Sequence, residues 1–126
     1  MALTFISLPA ASKTWITLPP LPSSHAHFLI DNASHLCAWV DPSDPTLTAH
    51  AFIAFNFSPS NRHLSLQWIQ SSHPHTGLAS SLITQLITSS RALHVHCTSF
   101  TPQGALLLEH KIRSLCASLH IPLSID

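Results

Sequence analysis

The stretch LQWIQSSHPHTGLASSL, residues 66–82, decides the fold. Its upstream end belongs to an alternating run, Leu64–Gln70, with Leu64, Leu66 and Trp68 on one side, as in a half-buried strand. Beyond Gly77 the period changes. Leu78, Ala79, Leu82, Ile83, Leu86 and Ile87 recur at helical spacing, and Ser80, Ser81, Thr84, Gln85, Thr88 and Ser89 fill the opposite side. A strand thus enters an amphipathic helix through one short turn containing a glycine. The first amides of a helix have no intrahelical acceptor and sit at the positive end of its dipole, so they attract anions such as phosphate. Gly77 permits close approach of the backbone, and Ala79 is small.

Upstream, the apolar runs Leu3–Leu8 and Thr14–Leu18 read as strands, the second stopped by Pro19, Pro20 and Pro22. Phe28–Ile30 and Leu36–Val40 flank Asp31-Asn32-Ala33-Ser34, which reads as a hairpin turn. Asp41-Pro42-Ser43-Asp44-Pro45 is a second turn. Leu47–Phe57 follows, with Leu47, Ala49, Ala51, Ile53, Phe55 and Phe57 on one face, and Ser58–Asn61 turns the chain again. Downstream, Leu93–Cys97 reads as a short strand. Ala105, Leu108, Ile112, Leu115 and Leu119 mark a helix with Pro102 near its start, and Ile121–Ile125 a last strand. An antiparallel meander followed by helix, strand, helix and strand makes one α+β domain over residues 1–126: a mixed, mostly antiparallel sheet with two main helices.

Composition narrows the functions. Charged residues are 8% of 126, against about 25% in typical globular chains, and five basic residues balance five acidic ones. A nucleic-acid surface needs a basic patch and an anionic membrane needs Lys/Arg clusters, so neither partner is expected. No run approaches the ~18 apolar residues of a membrane span. Cys37, Cys97 and Cys116 are widely spaced, odd in number and without a C-x-x-C pattern, and the N-terminus lacks a basic start; both features point to reduced thiols in the cytoplasm.

The order strand, Gly-x-Ala turn, amphipathic helix, strand, helix and strand resembles the core of the GNAT superfamily of N-acetyltransferases, over residues 28–126. Pro74-His75-Thr76-Gly77-Leu78-Ala79 is similar to that family's Q/R-x-x-G-x-G/A turn, with Pro74 in place of Gln or Arg. Ala105-Leu-Leu-Leu108-Glu109-His110-Lys111 is similar to its A-x-x-L-Y-x-K helix, with Glu109 in place of the usual Tyr. The family's two helices after the first strand have no clear counterpart in the proline-rich N-terminus. The resemblance implies acetyl-CoA as cofactor, held through the turn His75, Thr76, Gly77, Leu78, Ala79 and Ser80. It also implies direct transfer of the acyl group to an amine on a protein or small-molecule acceptor, with a base and an acid beside splayed fourth and fifth strands. Gln67 and Gln70 stand where a carboxylate is expected and cannot act as bases. Imidazole titrates near neutrality, which directs attention to His73, His94 and His96. His96, nearest the strand's carboxyl end, is expected to open to the cleft, and His94 to pair with an acceptor. The chain has no Tyr, and Cys97 or Ser99 stands in as acid. A different class of function, a non-catalytic protein-binding module, would have its Gly77-turn amides paired.

The eleven histidines form three H-x-H pairs, His25/His27, His73/His75 and His94/His96. A C-rich coding composition explains such pairs, and no third ligand is legible, so no metal is expected. Leu106-Leu107-Leu108 makes the last helix apolar on most sides, which points to deep burial or a helix-mediated homodimer.

Overall fold

The computed structural model describes residues 2–72, 77–98 and 105–126, the side chains of 105–107 excepted. Strands β1 (Thr4–Pro9), β2 (His35–Val40), β3 (Ala49–Ser58), β4 (His63–Ser71), β5 (His94–Cys97) and β6 (Leu123–Ile125) lie side by side in chain order. β1 to β4 pair antiparallel, while β4–β5 and β5–β6 pair parallel. Each parallel pair requires a crossover, supplied by helices α2 (Leu78–Ser90) and α3 (Ala105–Ser118). The fold is therefore α+β with a six-stranded mixed sheet.

The two faces are covered differently. α2 and α3 pack on the first, where Leu82, Ile83, Leu86, Ile87, Ile112 and Cys116 meet Cys37, Ile53, Phe55, Leu64, Leu66, Val95 and Cys97. On the second face, Ile16, Ile30 and Ala33 meet Leu8, Leu36, Ala38, Val40, Phe52 and Ala54. Ile30 belongs to helix α1 (Ser24–Asn32), which contacts β3 and β4.

Three expectations are corrected. Residues 24–32 form a helix, so Asp31–Ser34 is not a hairpin turn. Ser23 starts the helix by accepting a hydrogen bond from the Ala26 amide at 3.2 Å, and Ala26 and Ile30, four apart, bury one side. At its other end Lys13 donates to the carbonyls of Ile30 (2.6 Å) and Asp31 (3.2 Å), a cation at a helix C-terminus. Thr14–Leu18 is not a strand either: Ala10–Trp15 is a 3-10 helix and only Thr17 bridges the sheet, to Thr48.

The third correction concerns alternation. Between β2 and β3 the register passes from Ala51 to Ala49, skipping His50, and between β3 and β4 it passes from Leu66 to Trp68, skipping Gln67. Each bulge inverts the parity of the residues beyond it. Ala49 therefore joins the second-face core rather than siding with Ala51 and Ile53, and Trp68 packs opposite Leu64 and Leu66. Leu47 lies outside the strand, at φ 48°, in a turn held by Asp44, whose carboxylate accepts from the amides of Thr46 and Thr48. These bonds, with that of the Thr46 hydroxyl, hold the Asp44 carboxyl below the usual carboxylate range.

Candidate functional site

β4 and β5 are paired from His63–His94 to Leu66–Cys97 and then part. Thr98 closes the seam, its amide donating to the Leu66 carbonyl at 3.2 Å and its hydroxyl to the Gln67 carbonyl at 3.1 Å. β5 ends there, whereas β4 continues to Ser71 along β3 alone. The bulge at Gln67 stands at the parting point, where a bulge bends and twists its strand. The Ser72 amide bonds the His50 carbonyl at 3.0 Å, and pairing alternates from there, so Ile69 turns its amide and carbonyl away from β3.

The chain then enters α2 at Gly77. Gly77 adopts the left-handed conformation, φ 79° and ψ 4°, that a residue with a Cβ enters at a cost of about 1–2 kcal/mol. A Cβ built there meets nothing within 4 Å, so the space outside the turn is open. The Ser81 amide bonds the Gly77 carbonyl at 2.9 Å, which begins the helix. Among the described residues no side chain caps it, and its first turn holds no acidic residue. Among the described residues no acceptor faces the amides of Leu78, Ala79 and Ser80. His75 and Thr76, expected in the same turn, lie outside the described residues, as do His73 and Ser99.

Alternation on β5 places Val95 and Cys97 in the core under α2 and α3, and His94 and His96 on the opposite face. His96 keeps 27% of its side chain exposed. Its Nδ1 lies 2.8 Å from the Ser124 hydroxyl and its Nε2 3.3 Å from Asp126 Oδ1. Parallel pairing of β5 with β6 brings these together, since Ser124 is the register partner of His96 and the Asp126 amide bonds the Cys97 carbonyl at 3.1 Å. With the carboxylate against Nε2, the neutral ring carries its proton there, and Nδ1 accepts from the Ser124 hydroxyl. Nothing in the sequence pattern singled out Ser124 or Asp126. The only signal was the alternation of Ile121–Ile125, and its register against β5 is a tertiary fact. His94 differs from expectation. Its ring stacks on His63 with centroids 4.5 Å apart, and its Nδ1 is enclosed without a hydrogen-bond partner.

The site residues do not share one face. His96 and α2 lie on opposite faces of the sheet. Cys97 is sealed in the core, and burial, with Cys116 close by, pushes its thiol up to about 12. Burial likewise raises the thiols of Cys37 and Cys116. Since the thiolate is the reactive form, all three cysteines should resist a disulfide reagent in the native protein at pH 8 and react promptly in guanidinium. Rapid native labelling of Cys97 would show that its pocket opens. His25 and His27 are exposed on α1, where residues two apart diverge, and among the described residues no group of three His, Cys, Asp or Glu can hold a metal ion. No helix among the described residues is long and apolar enough to cross a membrane. Compared with known family models, curated proteins and solved structures, the chain matches none of them.

Proposed function

We propose that this protein is a GNAT-like N-acetyltransferase that uses acetyl-CoA and acts on an amine of a protein or small molecule. One observation carries the reading: the amides of Leu78, Ala79 and Ser80, which meet no acceptor among the described residues, stand at the helix start that follows the end of β4. The residues present suit a diphosphate, because the space around Gly77 is open and the first turn lacks a carboxylate that would repel it. Among the described residues nothing pairs with the amide and carbonyl that Ile69 turns away from β3, and these can meet an extended, amide-bearing arm. When bound, acetyl-CoA supplies the acyl thioester. His96 would take the proton of the attacking amine at Nδ1, where the Ser124 hydroxyl now sits, with the Asp126 carboxylate against Nε2; as the amide bond forms and the C–S bond breaks, that proton would pass to the departing CoA thiolate.

The test separates binding from folding. Acetyl-CoA should raise Tm, as any ligand selective for the folded state does. Ser80→Glu places a carboxylate in the first turn of α2, where the helix dipole favours it by about 0.3–1 kcal/mol, so the variant should be at least as stable as the parent. The same charge should abolish the acetyl-CoA shift by repelling the diphosphate. Absence of any shift in the parent at millimolar acetyl-CoA would falsify the cofactor assignment and favour a binding module.

A further inference from the structure

The opposite end of the parallel half of the sheet holds an unassigned recess of about 370 Å3, within the range of small-ligand sites. It is shallow and open, and its lining mixes polar groups with apolar ones, among them Ile87 and the exposed Leu93 and Leu119, at 59% and 41%. Around it stand Arg62 from the β3–β4 turn, Arg91 at the end of α2 and His120 after α3. All three have left-handed backbones, at φ 51°, 52° and 56°.

Such positions ordinarily take Gly or Asn. Arg91, the residue that ends α2, also complements the negative end of that helix. Arg62 follows a hairpin turn and has no helix to complement. Neither arginine has a carboxylate partner among the described residues, and no Asp or Glu lines the recess. Of the other three cations, Arg113 pairs with Glu109 and Lys13 with helix carbonyls, whereas Lys111 is exposed on α3 with no ion-pair partner among the described residues. In a chain of zero formal net charge, two guanidiniums without a carboxylate partner among the described residues thus border one depression that also exposes leucine.

We infer that this recess binds a small amphiphilic carboxylate, its head group held by Arg62 and Arg91 and its apolar tail laid on Leu93 and Leu119. Guanidinium matches a carboxylate with two parallel donors, and the exposed leucines supply apolar area that water now covers. The site is remote from the α2 N-terminus and does not depend on the acetyl-CoA reading.

Titration calorimetry with octanoate tests it. One octanoate should bind per chain, and neither octan-1-ol nor inorganic phosphate should bind comparably, since each lacks half of the ligand. The double variant Arg62→Asn/Arg91→Asn keeps residues that tolerate the left-handed backbone and should weaken octanoate by about tenfold or more. Leu93→Ser, at an exposed position, should weaken it independently of charge and of any effect on folding. Any of four results would overturn the proposal: no octanoate binding, equal binding of octan-1-ol, phosphate binding as tight as octanoate, or both variants binding like the parent.

Discussion

Replacing His96 by Ala is expected to cut acetyl transfer by roughly a hundredfold or more, the usual scale for loss of a general acid or base. The readout is release of CoA thiol from acetyl-CoA in the presence of a panel of primary amines. The acetyl-CoA shift in Tm should survive, because the ring lies on the face opposite α2 and touches none of the amides assigned to the diphosphate. The structure adds a second tier to this expectation. Asp126→Asn removes the charge beside Nε2, 3.3 Å away, but retains a group that can still accept from it. Turnover should fall less than in His96→Ala, since the ring keeps an acceptor at Nε2 and loses only the charge beside it. If His96→Ala fails to fold, the residue is structural. If turnover is unaltered, the proton passes through another group or the substrate alone.

Phe52→Ala should be the most damaging substitution away from the site, at about 3–5 kcal/mol. Phe52 is fully buried in β3, paired with Ala38 and Gln70, in the core beneath α1. Its cross-strand partner Ala38 and its strand neighbour Ala54 are small, so the residues directly beside it fill little of the space the ring would leave. Against a typical stability of roughly 5–15 kcal/mol, the loss should lower the urea midpoint steeply or leave the chain unfolded at 25 °C. Phe28→Ala, at a position 62% exposed, serves as the control and should shift stability by no more than about 0.5 kcal/mol. Equal effects at the two positions would mean that the second-face core is not closed as described.

Legibility in the sequence followed the range of the interactions concerned. α2 could be read because Leu82, Ile83, Leu86 and Ile87 declare one face within a single helix, and all four are buried. β4 and β5 were legible as strands for the same reason. Helix α1 was not, because Phe28-Leu29-Ile30 is a contiguous apolar run that also fits a strand. The stronger local signal was Ser23 followed by the Ala26–Ile30 interval, and it competed with a turn-like Asp-Asn. The skips at His50 and Gln67 left no mark, because a bulge is a mismatch between two strands and cannot be seen in either one. At the site, the open turn at Gly77 was legible as local backbone chemistry. The neighbours of His96 were not, because Ser124 and Asp126 reach it through the register of a parallel pair 28 or more positions apart in the chain.

Strand order equal to chain order has a consequence for how the molecule is made. Each strand needs only partners already synthesised: β2 docks on β1, β3 on β2, and so on to β6, whose sole neighbour is β5. No strand must be inserted between two others after they have met. A chain leaving the ribosome at about 5–20 residues per second can therefore lay down its sheet edge by edge. Throughout that time the growing edge is an unpaired template, first of β3 and then of β4. The first-face core stays uncovered until α2 emerges. Vectorial assembly thus concentrates the aggregation hazard of this chain in one interval of its synthesis, between the completion of β3 and the docking of α2.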